Sequence, residues 1–159
     1  MGREIEKKFL ITDNSWRGLA EGLPYCQGYL NSDKGRTVRI RTIDDRGVLT
    51  IKGPDEGGVK LEYEYDIPLD DAREMLDRLC HRPLIEKVRY RIPFAGFYWE
   101  VDEFTGDNSG LLLAEIELAF VGQEFEKPAW IGREVTGDAR YYNANLVHNP
   151  YSQWKEQGK

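Results

Sequence analysis

Acids recur two residues apart at Glu4 and Glu6, Glu62 and Glu64, and Glu115 and Glu117, and bases do the same at Arg39 and Arg41 and at Lys87, Arg89 and Arg91. Carboxylate pairs are hard oxygen donors of the kind that hold Mg²⁺ or Mn²⁺, whereas arginine forks match phosphate oxygens. With two histidines and two cysteines in the whole chain, there is no His/Cys set for zinc. The chemistry that joins both halves is a phosphate chain carrying divalent metal.

A spacing of two is the period of a β-strand, whose successive side chains point to opposite faces. Alternation recurs over residues 4–11, 37–42, 48–52, 60–67, 87–92, 98–104 and 111–120. Turn-forming runs separate many of these segments: Asp33-Lys34-Gly35, Asp44 to Gly47, Gly53 to Gly58 and Asp107 to Gly110. They suit hairpins, so the sheet is expected to be antiparallel. Three segments carry helical patterning: 14–23, 70–82 (with Ala72, Met75, Leu76 and Leu79 on one stripe) and 139–147, with Asp70 and Asp138 as N-caps. The class is α+β.

Splitting each strand by face gives one row of Glu, Asp, Arg and Lys and one apolar row, including Phe9, Ile40, Tyr63, Tyr65, Trp99 and Ile116, which is expected to be the core. Two architectures fit. In an open two-layer sheet the charged row faces water and its ion pairs contribute little. In a closed barrel of about eight strands the rows line an interior wide enough for one small ligand. The charged row is nearly devoid of Ser, Thr, Asn and Gln, and its signs are segregated by strand. That composition favours an interior, where unpaired ions cost several kcal/mol each and must be neutralised by a ligand.

At 159 residues the chain is expected to form one domain, 1–159. Its formal charge of -6 argues against a nucleic-acid partner. No apolar run approaches the ~20 residues of a membrane-spanning helix. The N-terminal residues show no signal-peptide pattern, which gives the expectation of a cytoplasmic protein. Cys26 and Cys80 are read as free thiols, His81 and His148 as isolated, and Trp16, Trp130 and Trp154 as packing anchors rather than base-stacking platforms.

The segment Glu4-Ile5-Glu6-Lys7-Lys8 resembles the ExExK signature of the triphosphate tunnel metalloenzymes, the CYTH superfamily, and its small bacterial members in particular. Val38-Arg39-Ile40-Arg41, Leu49 to Gly53, Glu62-Tyr63-Glu64, Glu86 to Tyr90, Trp99 to Asp102, Ala114 to Glu117 and Trp130 to Asn143 are similar to that family in the same order. The resemblance implies an eight-stranded antiparallel tunnel open at both ends, helices packed outside, and a C-terminal helix near one mouth. It implies phosphate ligands at Lys8, Arg39, Arg41, Lys52, Lys87 and Arg89, with Arg91 accessory. Metal ligands would be Glu4, Glu6, Glu62, Glu64, Glu115 and Glu117, with Asp102 on the same face. The implied reaction is attack of water on the terminal phosphorus of a triphosphate, giving diphosphate and phosphate. Arg41 and Glu6 would serve it, as would Lys8 paired with Tyr29. Inorganic tripolyphosphate heads the substrates, ahead of nucleoside triphosphates, thiamine triphosphate or an adenylyl cyclase reaction; a non-catalytic polyphosphate-binding module stands further off. Members of the family are often dimers, so a homodimer is also allowed.

Overall fold

The computed structural model describes residues 2–157 apart from Ser32 and Lys34; the middle of the turn expected at Asp33-Lys34-Gly35 therefore lies outside the described residues. The strands are β1 (Arg3–Glu4), β2 (Glu6–Ile11), β3 (Gly22–Tyr29), β4 (Thr37–Ile43), β5 (Arg46–Lys52), β6 (Lys60–Ile67), β7 (Ile85–Phe94), β8 (Phe97–Phe104), β9 (Leu112–Glu117) and β10 (Ile131–Glu134). Helix α1 spans Leu69–Arg78 and α2 Asn143–His148.

All ladders are antiparallel, in the order β1-β6-β5-β4-β3-β7-β8-β9-β2-β10. β1 and β2 are one extended stretch broken only at Ile5. Its start pairs with β6 (Glu4 opposite Lys60), and its continuation pairs with β9 (Lys8 opposite Glu115). The ladder from β6 round to β9 is therefore joined through residues 3–11, and eight strands close into the expected barrel. β10 takes up the remaining edge of β2, with Ile131 opposite Ile11. Two-residue turns serve two of the hairpins: Asp44, at φ 53°, begins the β4–β5 turn, and Ala95 and Gly96, at φ 48° and 83°, form the β7–β8 turn in the geometry that matches strand twist.

Residues 14–23 do not form a helix. Gly18 turns the chain at φ 84°, and residues 22–29 become β3, whose Pro24 lies opposite Val88. Trp16 is a buried anchor against Tyr90 at 5.0 Å, whereas Leu19 and Leu23 of the apparent stripe are exposed. Helix α1 starts after Pro68, so Asp70 lies in its first turn, where a carboxylate favours the helix dipole, rather than at the cap. Asp138 does cap, accepting from the Arg140 backbone N–H, but at the head of a 3₁₀ turn, Ala139–Tyr141, that precedes α2.

The outward apolar row is buried only where something covers it. Ala72 and Leu76 of α1 cover Ile40. There the helix lies so close to β5 that a Cβ at Gly47 would stand 2.9 Å from that of Ala72. The loops at 12–20 and 118–130 cover Phe9, Trp99, Val101, Ala114 and Ile116. Nothing comparable among the described residues covers the outer face of β6, and Leu61, Tyr63 and Tyr65 are 43%, 44% and 56% exposed, contrary to the expectation that they belong to the core. Trp99, fully buried against Phe9, Phe125 and Trp130 at 5.4, 5.8 and 6.3 Å, is the centre of the largest aromatic cluster. Trp99→Ala is expected to cost about 3–5 kcal/mol in urea unfolding; a loss under about 1 kcal/mol would show that the cluster does not anchor the barrel.

Candidate active site

The inner row is charged over most of the barrel and encloses a cavity of about 480 Å³. Ion pairs neutralise its wall in two groups. On β4–β6, the Arg41 Nη2 donates to Glu64 at 3.0 Å, with Arg39 at 3.5 Å from the same carboxylate and the Thr50 hydroxyl donating to it at 3.2 Å. Lys52 sits between Glu4 at 3.0 Å and Glu62 at 3.5 Å. On β7–β9, Arg89 forks onto Asp102 at 2.7 and 2.8 Å, and Lys87 donates to the same carboxylate at 2.8 Å. Lys8 reaches Glu115 at 3.4 Å and donates to the Tyr141 carbonyl at 3.2 Å.

The cations are crowded. Burial, with Arg39 and Arg89 alongside, lowers Arg41 to about 10, and burial with Arg89 alongside lowers Lys87 to about 7 against the pull of Asp102. Arg39 and Arg41 each keep a buried Nε–H without a partner among the described residues, and an unmade buried hydrogen bond is costly. The guanidinium groups of both arginines line the cavity and fit oxygens of an anion there. The ring of Tyr25 also lines the cavity, with the charges of Arg89, Arg41 and Lys87 at 5.0, 5.2 and 5.8 Å from its centroid.

The acids carry the opposite strain. Burial, then Glu115 nearby, pushes Glu6 up to about 7, and burial likewise raises Glu4, which shares a hydrogen bond with Glu62, and Glu117. Glu115 is held well below the ordinary range because Lys8, Arg89 and Lys87 outweigh its own burial. Desolvated carboxylates sharing protons are what a donor set for a hard cation becomes without one. Among the described residues no three of them are gathered as a coordination shell, since Glu62, Glu64 and Glu115 turn toward lysine and arginine instead.

Most of the residues singled out by the sequence line this cavity: Glu4, Glu6, Lys8, Tyr29, Arg39, Arg41, Lys52, Glu62, Glu64, Lys87, Arg89, Glu115 and Glu117. Two do not. Asp102 is 1% exposed behind the wall, its oxygens taken by Lys87 and Arg89, so its place is that of their counter-ion rather than a metal ligand. Arg91 is exposed and stacks on Tyr98 with its guanidinium 3.7 Å from the ring centroid, outside the cavity. The expected Lys8–Tyr29 pair is not formed: Lys8 turns to Glu115 and Tyr141, and the Tyr29 hydroxyl accepts from Gln27.

Toward one end the inner row changes character. Tyr29, Ile85, Phe104 and Leu113 continue the rows of Gln27, Lys87, Asp102 and Glu115, yet pack into an apolar layer with Tyr141, Leu146, Val147 and Trp154. The C-terminal segment thus floors part of the tunnel instead of leaving that end open. His81 and His148, isolated in sequence, meet at this end with ring centroids 6.3 Å apart and both line the cavity. The sequence does not mark Tyr25, Gln27 and Asn143 as site residues: the first two lie on β3, hidden by the helical reading of the residues before it, and Asn143, though it ends the last stretch that resembles the family, carries no charge to mark it. Both cysteines are free, the tryptophans are buried, and among the described residues no helix is long and apolar enough to cross a membrane.

The family model described as the CYTH domain matches residues 2–151. A protein of Acetivibrio thermocellus named inorganic triphosphatase is 55% identical over 156 residues, 98% of this chain and all of the relative. A Nitrosomonas europaea protein of the same name is 36% identical, covering 91% of this chain and 96% of the relative. A solved structure of an inorganic triphosphatase superposes with a TM-score of 0.65 at 33% identity, over 91% of this chain and 93% of that one. With its charged barrel, its paired acids and its full-length match, the chain belongs to the CYTH family of triphosphate tunnel metalloenzymes.

Proposed function

We propose that this protein hydrolyses inorganic triphosphate to diphosphate and phosphate with the help of Mg²⁺ or Mn²⁺, one or two ions. The observation that carries the reading is one small cavity lined both by Arg39, Arg41, Lys52, Lys87 and Arg89 and by desolvated carboxylates such as Glu4 and Glu6. The names of the relatives agree with it.

Arg39, Arg41, Lys52, Lys87, Arg89 and Lys8 bind the non-bridging oxygens and hold the chain in line for attack by water at the terminal phosphorus. Each phosphate oxygen replaces a carboxylate as the partner of a cation, so Glu4, Glu62, Glu64 and Glu115 are released to join Glu6 and Glu117 as oxygen ligands. A divalent ion bound there supplies charge neutralisation and a more acidic water. Arg and Lys then stabilise the charge that spreads over the oxygens as the bond breaks. The middle of the cavity wall is ionic, which favours the bare triphosphate.

Purified protein with Mg²⁺ or Mn²⁺ is expected to release phosphate from tripolyphosphate at least about tenfold more efficiently than from ATP or thiamine triphosphate, to make no cyclic AMP, and to stop on addition of EDTA. Absence of phosphate release from tripolyphosphate with either ion refutes the assignment. A preference for ATP would leave the mechanism standing and overturn the choice of substrate.

A further inference from the structure

The side chain of Asn143, the first residue of α2, reaches Lys87 and Gln27 on the wall. Its Oδ1 lies 3.2 Å from the Lys87 Nζ and 3.2 Å from the Gln27 Nε2. A lysine ammonium can only donate, and the Asp102 carboxylate 2.8 Å away favours that form of Lys87, so the amide of Asn143 presents its oxygen there. Gln27 answers with its NH₂ end, and the same nitrogen lies 3.4 Å from the Tyr29 hydroxyl oxygen. Gln27 is fully buried, and its Oε1 has no partner among the described residues, so the amide is held by the NH₂ end alone. That NH₂ can only donate to Tyr29. The hydroxyl oxygen of Tyr29 is thereby an acceptor, and its own proton is free to be given to an acceptor in the cavity that Tyr29 lines.

We propose that Asn143 is a positioning residue for the triphosphate: it fixes the Lys87 ammonium and, through Gln27, sets Tyr29 to donate its hydroxyl proton to a phosphate oxygen. The polarity of the whole chain of hydrogen bonds originates at the charge of Lys87, and the C-terminal segment contributes to binding through this amide as well as by packing. This inference rests on the triphosphatase reading, and its test separates the two.

Asn143→Ala, Asn143→Asp, Tyr29→Phe and the Asn143→Ala/Tyr29→Phe double variant are compared with the wild type in metal-stimulated phosphate release and, with EDTA present, in calorimetric affinity for tripolyphosphate. Asn143→Ala is expected to raise KM and weaken affinity about tenfold with little change in kcat, because the lost contacts serve bound and reacting states alike. Asn143→Asp, which keeps an acceptor for both Lys87 and Gln27, recovers most of that loss. In the Tyr29→Phe background the effect of Asn143→Ala shrinks to about threefold, since only the Lys87 arm remains. Melting temperatures of the single variants stay within about 3 °C of wild type. Equal affinities for wild type and Asn143→Ala, or strictly additive effects of the two substitutions, overturn the proposal. A wild type that binds tripolyphosphate but releases no phosphate refutes the hydrolytic reading and leaves the binding arm to decide; one that does neither overturns both.

Discussion

Arg41→Ala is expected to lower kcat/KM for tripolyphosphate by two to three orders of magnitude while leaving the fold intact, the size of effect seen when one preorganised donor is removed from a charge-stabilising site. Arg41 is 8% exposed, so its guanidinium cannot be replaced by bulk water without reorganising the wall. It makes one short bond, to Glu64 at 3.0 Å, and leaves Nε unpaired. The free protein therefore does not use its full fork, and because the residue lines the cavity a phosphate oxygen can engage the terminal N–H groups that Glu64 does not take. Removal also relieves the repulsion from Arg39 and Arg89 that, with burial, holds the group down near 10. Glu64 keeps Arg39 at 3.5 Å and Thr50 at 3.2 Å, so no unpartnered carboxylate is created. The melting temperature should consequently move little. Arg41→Lys restores charge without the planar fork and should recover only part of the loss. The comparison needs phosphate release and a thermal melt on the same preparations. An activity within about threefold of wild type would mean that the charged row is a salt-bridged wall and not a substrate grip.

The charged row was legible because strand alternation is a strictly local rule: once residues 4–8, 39–41, 62–64, 87–89 and 115–117 are strands, their same-face neighbours follow. What alternation does not carry is how far along a strand the environment stays the same. Tyr29, Ile85, Phe104 and Leu113 obey the inner-face parity and still pack as an apolar floor, because the C-terminal segment arrives there from far along the chain. The reverse error concerns Tyr63 and Tyr65, which have core-like chemistry on a face that nothing covers. Register was equally out of reach. Only the ladders show that Lys52 bridges Glu4 and Glu62, or that Asp102 stands behind Lys87 and Arg89 rather than in the cavity. β3 was hidden by its own composition, since Pro24 and Gly22 are poor strand residues and Trp16 to Leu23 imitates a helical stripe. With β3 went Tyr25 and Gln27. Amides such as Gln27 and Asn143 carry no charge pattern to draw attention to them, and their importance comes from whom they face.

Glu6→Gln should abolish metal-stimulated turnover, by at least about a hundredfold, and at the same time stabilise the metal-free protein. The two effects have one cause. Burial and the neighbouring Glu115 raise the folded-state pKa of Glu6 to about 7 from 4.5. A carboxyl whose pKa is raised on folding binds more protons folded than unfolded, so stability falls as pH climbs from about 4.5 to about 7 and is level beyond. A tenfold change in proton affinity corresponds to about 1.4 kcal/mol, so the ionised group costs on the order of 3 kcal/mol above neutral pH when no cation is bound. Glutamine keeps the shape, can donate to Glu115 as the protonated acid does, and never ionises. In EDTA the melting temperature of Glu6→Gln should therefore exceed that of wild type at pH 8 and converge with it at pH 4.5. Added Mn²⁺ should reverse the order at pH 8, because the wild-type carboxylate then gains a partner that the amide holds far less well. Melts that stay parallel across the pH range would show that Glu6 is not the strained acid of the set. Unchanged turnover in the variant would remove it from the metal-binding residues altogether.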